Sequence, residues 1–380
     1  MRSGLIALAL LFVSSVAFSQ PGAANRTLDV FTLDSVEHIV AAQGQGYFPV
    51  LHHIEDILFS VFRMGAGHLG RGGGLSIAWS MDGGVTWGDP SVVVDGPEDD
   101  RNPAVGVTRR GRILVAYHEQ GSYDAAGNFE PSLGQARCKI TYSDDAGMNW
   151  SSPQPLGIEG LKTCSPYGRI IRGPDGTLYM NVYGPYSTEI EGMQDVRDNR
   201  RDYAYLVESH DQGESWQNPR LIAPGHNETA LYLFSKGHMI AIARTVSTQQ
   251  LNVLHSTDFG QSWGSSMRLT DPMQHPADIV ELSNGWLLLL YGDRSQQQKT
   301  IMGIISRDRG FSWGINQPVQ FSRPRVGDFG YPSGVVLPSG ELVIAYYWGG
   351  APDQPQDGSA ARLYLTRLDE SEFLTAFQNQ

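Results

Sequence analysis

Ser80–Trp87 reads SMDGGVTW, and the same turn is written four more times: SDDAGMNW at Ser143–Trp150, SHDQGESW at Ser209–Trp216, STDFGQSW at Ser256–Trp263 and SRDRGFSW at Ser306–Trp313. All fit S-x-D-x-G-x-[ST]-W except for Asn149 in the Ser/Thr slot. The residue types suit a hairpin tip. An Asp side chain accepts backbone N–H bonds within the turn, Gly supplies a positive φ, and Trp covers the turn from the next strand. A calcium loop is the competing reading of D-x-G. It fails because too few oxygen ligands follow and no Glu closes the loop. The boxes are therefore expected to be structural.

A second repeat runs out of phase with the first: IEDILFSVFR, RRGRILVAYH, GPDGTLYMNVY, SKGHMIAIAR, SNGWLLLLYG and PSGELVIAYY. Each pairs a turn with an apolar or alternating strand, and Asp56 stands in the first where the others have Gly. Inner hairpins followed by box hairpins describe four-stranded units repeated about an axis, which predicts an all-β, six-bladed β-propeller. The last unit lacks a box, and a strand near Leu28–Leu33 is expected to complete it and remove free edges. No segment beyond a few residues shows helical periodicity.

The chain has 380 residues. Residues 1–19 combine an Arg, a long apolar run and a small-residue end, the pattern of a cleaved export signal, which predicts a secreted or periplasmic protein. The apolar run is short for a membrane span, so no stable membrane insertion is expected. Residues 20–380 read as a single domain. A formal charge of −12 with 28 Lys and Arg in no basic run argues against a nucleic-acid partner. Cys138 and Cys164 could pair in an exported protein, though spacing cannot decide it. No Cys/His cluster has metal spacing, and no cofactor is implied.

Aligning the hairpins maps a candidate site. Seven residues on from each turn position lie Arg63, His118, Tyr183, Arg244, Gly292 and Tyr347; nine residues back lie Tyr47, Asn102, Tyr167, Glu228, Pro276 and Tyr331. Residues equally far from a hairpin turn lie side by side at its open end, so these should ring one mouth of the propeller. Arg, Glu, His and Tyr dominate there, where strand ends usually carry Ser, Thr, Lys and apolar residues. Long polar inserts follow His118 and Tyr183, and such loops on a rigid scaffold commonly wall a binding site.

The boxes, VFR before the first of them, NETALYLFSKGHMIAIAR and GYPSGVVLPSGELVIAYY together resemble the sialidase superfamily over essentially the whole mature chain. The resemblance implies an exo-glycosidase acting with retention. In it Arg63 and Arg244 are carboxylate-binding arginines, Tyr331 is the nucleophile and Glu228 is the carboxylate beside it. The physics suits a 2-keto sugar acid. Its anomeric carbon bears a carboxylate that repels an anionic nucleophile, whereas a neutral Tyr assisted by Glu can attack. Arginine forks would hold the carboxylate bidentately.

Two departures follow. The family's Asp general acid falls between the first arginine and the first box, but MGAGHLGRGGGLSIAW holds no carboxylate. His68 is a candidate acid there, with Arg71 as a binding residue. Asp99, Asp100 and Asp278 are alternative proton donors, and Arg101 flanks them. The third arginine is displaced as well, Arg294 in YGDR being the nearest candidate, with Arg323 and Arg325 behind it. The expected binding set is thus Arg63, Arg244, Arg294, Arg71, Arg101, His118, Tyr183 and Asp278. The expected catalytic set is Tyr331, Glu228, His68 and Asp100. The expected substrate is a glycan ending in an acidic sugar. A polysaccharide lyase acting on uronates and a non-catalytic sugar-binding propeller are the alternatives.

Overall fold

The computed structural model describes residues 31–32, 37–44, 46–134, 136–161, 163–185, 187, 202–297, 299–355 and 357–378. Residues 1–19, read above as an expected export signal, and most of the insert after Tyr183 lie outside them. The fold is all-β and propeller-like. One four-stranded sheet runs through Tyr47–Ile54, Ile57–Met64, Gly74–Ser80 and Ser91–Val94, and another through His226–Leu233, Met239–Thr245, Leu251–Ser256 and Met267–Arg268. Between them lies an eight-stranded sheet. It consists of two antiparallel meanders, Asp99–Pro155 and Ser165–Pro224, joined by parallel pairing of Gly168 and Arg169 with Ala104 and Val105.

The ring closes differently from the sequence expectation. Glu37–Gln43, rather than a strand at Leu28–Leu33, pairs antiparallel with Arg362–Asp369 and completes the last sheet. Phe31–Thr32 instead adds in parallel to Val319–Gln320, on the sheet before it. Apolar cores lie between successive sheets, and one returns from last to first, joining Leu51 and Leu58 to Val343 and Leu363. A C-terminal helix, Glu370–Gln378, was not expected from sequence. Asp369 caps it by accepting from the Glu372 N–H at 2.9 Å, and Phe373 and Phe377, four residues apart, bury into the adjoining core.

The box turns share one set of hydrogen bonds. In the first, Asp82 accepts from the Ser80 hydroxyl (2.8 Å), the Thr86 N–H (2.9 Å) and the Thr86 hydroxyl (2.6 Å), while Ser80 accepts from the Gly84 N–H (2.8 Å). Asp145, Asp211, Asp258 and Asp308 repeat the pattern. Leu58, next to the hairpin turn, pairs with Ser80, whereas Met64 pairs with Gly74. The box therefore sits at the turn end, opposite the end that carries Arg63.

Each innermost strand breaks register near that far end, between Tyr47 and Val50, Arg101 and Ala104, Tyr167 and Ile171, His226 and Thr229, Gln274 and Ala277, and Gly330 and Ser333. Phe48, Asn102 and Tyr331 take φ values of 54°, 51° and 53° in these breaks. A bulge adds a residue and re-aims the side chains beyond it. The bulges set the site.

Candidate functional site

Tyr331 lies in the bulge of Phe329–Val336, and its hydroxyl donates a short hydrogen bond to Glu228 Oε1. Glu228 comes from the bulge of another sheet and takes Arg244 Nη1 on Oε2 at 2.5 Å. Arg244 also donates to Gln249 Oε1 at 3.1 Å, and its buried Nε has no partner. Burial pushes the Tyr331 phenol well above its usual range, and the Glu228 charge adds to that. Tyr331 is thus a neutral phenol whose one proton already points at a carboxylate.

Beside this pair, Arg294 stands 6.0 Å from the Tyr331 ring centroid and donates from Nη2 to Asp328 Oδ1 at 2.6 Å and to the Tyr347 oxygen at 3.2 Å. Tyr347 donates to Asp328 Oδ1 at 2.7 Å. The other Asp328 oxygen meets His68 Nδ1 at 2.6 Å. Burial opposes ionisation of Asp328, but His68 and Arg294 outweigh it and hold the carboxyl well below the usual range. Aromatic rings link the two groups: Phe48 packs 4.8 Å from Tyr331 and 5.0 Å, edge to face, from His68. His68 is more open than its neighbours, its side chain 37% exposed.

Arg63 departs from expectation. It is fully buried, and its Nε, Nη1 and Nη2 donate to Asp99 Oδ1 and to the carbonyls of Ala66, Gly67 and Gly70. With those donors engaged it acts as the post around which the glycine-rich loop folds, rather than as a grip for a ligand. Gly73 makes this possible, since a Cβ there would stand 2.3 Å from both Arg63 and Asp99. The other Asp99 oxygen accepts from the Tyr123 hydroxyl at 2.5 Å, and Tyr123 in turn receives the Gly70 N–H at 3.0 Å. The insert after His118 therefore walls the site by pinning this loop. Arg71 is exposed on the rim and donates to the Tyr123 carbonyl. Arg101 lies 5.3 Å from the Phe48 ring centroid and 3.5 Å from Asp99.

Among the other expected site residues, Asp278 and Tyr183 stay beside Tyr331, and Asp100 and His118 do not join its hydrogen bonds. Asp100 faces away from its neighbour Asp99; its Oδ2 takes the Gly96 N–H at 2.7 Å, its Oδ1 has no partner, and burial pushes it up to about 6. Successive residues of a strand point to opposite faces, so an Asp-Asp pair cannot serve one site together. Asp278 lies among the inner strands, paired with Arg169 at 2.7 Å and receiving the Gly334 N–H. It ties sheets together and lines one cavity with Tyr331, Tyr167 and Phe48, without a hydrogen bond to Tyr331. His118 is enclosed and depressed to about 3 by burial and by Arg101, with Nε2 unpartnered. Its register partner is Arg101, not Asn102. Tyr183 pairs with Ser165, not Tyr167, and accepts from Asn102 at 3.0 Å. The bulges account for both slips, one residue at His118 and two at Tyr183.

Asp328 and Phe48 were not in the predicted site, and Asp99, expected as an alternative proton donor, instead holds Arg63. A legible signal existed for Phe48: it precedes Pro49 as Asn102 precedes Pro103 and Tyr331 precedes Pro332. Among the described residues, no group of three or more His, Cys, Asp or Glu side chains is placed to hold a metal ion. Cys138 and Cys164 are buried in one core as free thiols.

A family model described as a BNR repeat-like domain matches residues 63–344. The chain is 23% identical to a sialidase of Micromonospora viridifaciens over 290 residues, 70% of this chain and 44% of that protein. The chain thus spans less than half the length of this curated relative. A crystal structure of a protein of unknown function from Dyadobacter fermentans superposes with a TM-score of 0.70 at 20% identity, covering 89% of this chain and all of that one. A Hadza microbial sialidase superposes with a TM-score of 0.65 at 18% identity, covering 86% and 66%. The family model spans most of the chain, which therefore belongs to the BNR repeat-like family and is similar in sequence and fold to sialidases.

Proposed function

We propose that the protein is an exported, six-bladed exo-glycosidase that removes a terminal acidic sugar, sialic acid or a related 2-keto sugar acid, with retention. The blade count takes the eight-stranded sheet as two blades. The observation that carries the reaction is the Tyr331–Glu228 hydrogen bond. Tyr331 attacks the anomeric carbon while Glu228 takes its proton, so no full negative charge approaches the substrate carboxylate. Arg244 and Arg294 flank that tyrosine and form the carboxylate pocket in place of Arg63. Among the described residues only Nη2 of Arg294 donates to protein, which leaves Nε and Nη1 for a ligand. His68, across the Phe48 ring from Tyr331, serves as the proton donor in place of the family's Asp.

The test is Tyr331→Phe on the mature protein with sialosides and ketodeoxy sugar acid glycosides. The ring packing is retained, so KM should change little while kcat falls by a factor on the order of 10³. Near-normal hydrolysis by this variant overturns the reading. A product absorbing near the ultraviolet edge would instead mark a lyase.

A further inference from the structure

We infer that Asp328 is the positioning residue that makes His68 a proton donor, an inference that rests on the glycosidase reading above. His68 sits in a loop rich in glycine, with Gly65, Gly67, Gly70, Gly72 and Gly73 around it, and glycine loses the most conformational freedom on ordering. A general acid on such a loop needs an anchor, and Asp328 supplies one from the opposite side of the mouth. Its Oδ2 lies 2.6 Å from His68 Nδ1, while Oδ1 is held by Arg294 at 2.6 Å and Tyr347 at 2.7 Å. An ionised carboxylate only accepts, so Nδ1 must carry the donated proton and Nε2 becomes the outward atom. Asp328 also precedes Tyr331 by three residues on the approach to the same strand. One short segment thereby fixes both the nucleophile and the acid, although His68 belongs to the first sheet's loop.

The step balances as follows. The Tyr331 oxygen bonds to the anomeric carbon and passes its proton to Glu228. The bond to the leaving oxygen breaks, its electron pair stays on that oxygen, and the oxygen takes the Nε2 proton of His68. The imidazole is left neutral, still donating from Nδ1 to Asp328. In the second half, water attacks the anomeric carbon and gives a proton to Nε2, while Tyr331 leaves and recovers its proton from Glu228. The groups facing His68 are Asp328, Tyr347, whose oxygen is 3.4 Å from Nδ1, and the rings of Tyr47 and Phe48. Asp328 bears the only charge among them.

The experiment compares Asp328→Asn, Asp328→Glu, His68→Ala and the Asp328→Asn/His68→Ala double variant on an alkyl sialoside and an activated aryl sialoside. Asp328→Asn should lower kcat/KM on the alkyl substrate on the order of 10²-fold and on the aryl substrate less than about tenfold, since a good leaving group needs little protonation. In the His68→Ala background it should add no further loss, and Asp328→Glu should recover part of the alkyl activity. The His68 Nδ1 proton should give a low-field NMR signal in the wild type that is absent from Asp328→Asn. Equal losses on both substrates, or a full additional loss on top of His68→Ala, reduce Asp328 to scaffolding and overturn the inference. If Asp328→Asn does not fold, Asp328→Glu decides between the same outcomes, by its loss on the alkyl against the aryl substrate and by a displaced low-field His68 Nδ1 signal relative to the wild type. Tyr331→Phe runs alongside. If it stays active, the glycosidase reading itself fails; if it is dead while Asp328→Asn hits both substrates alike, only the inference fails.

Discussion

At the scale of the residue, the site is a set of charges that neutralise one another in pairs: Glu228 with Arg244, Asp328 with Arg294, Asp99 with Arg63. Removing one partner leaves the other buried and uncompensated, so these side chains are poor targets for casual truncation. Arg294→Ala nevertheless separates binding from chemistry. It should raise KM by roughly tenfold or more and lower kcat less, because the substrate carboxylate is gripped before and during the reaction; an unchanged KM removes Arg294 from the pocket. Asp100 gives an independent check on the burial that displaced it from the site. Its folded pKa of about 6 exceeds the ordinary carboxyl value, so ionising it costs stability above pH 6, and the penalty disappears as pH falls toward 4. Asp100→Asn should therefore raise Tm at pH 7.5, equivalent to about 1–3 kcal/mol, with the gain fading by pH 4. A gain that persists at pH 4 would contradict this.

Elements carry the stability of the repeat. In each box the Asp accepts both a backbone and a hydroxyl hydrogen bond, and the residue before Gly also adopts a left-handed conformation, as Ala146, Gln212, Phe259 and Arg309 show. The sequence pattern marks the Gly and not this second position. Asp258→Ala should cost about 1–2 kcal/mol through lost turn hydrogen bonds while turnover per folded molecule stays unchanged; a selective loss of catalysis would give the boxes a role they do not have here. The pH dependence has a definite sign. The Thr86 hydroxyl and N–H hold Asp82 down to about 2, so its contribution is present above the ordinary carboxyl value and is lost as pH falls from about 4 toward 2. Thermal melts of Asp82→Asn should converge with the wild type at pH 2 and lie below it at pH 6.

Over the whole molecule, closure depends on a strand remote in sequence. Glu37–Gln43 covers the edge of Arg362–Asp369 and buries Ala42 in the core between last and first sheets. A chain beginning at residue 45 should melt several degrees lower, lose cooperativity and associate through the bared edge, as read by circular dichroism and size exclusion. An unaltered, monomeric melt would show that another segment closes the ring.

The sequence by itself determined the repeating all-β architecture, because box turns and hairpin glycines are local chemistry that a chain can write without reference to its neighbours. It also determined the Tyr331–Glu228–Arg244 cluster, since the family pattern places those residues at recognisable positions in their own strands. Only the tertiary structure decided the rest. A bulge in each innermost strand shifts which side chains face the mouth, so His118 opposes Arg101 and Tyr183 opposes Ser165. Arg63 is engaged by Asp99 and by loop carbonyls, a fate that depends on how the glycine-rich loop folds back. Asp328 meets His68 across 260 residues of chain. Strand periodicity carries no information about such contacts, because they arise where separate sheets converge on one axis.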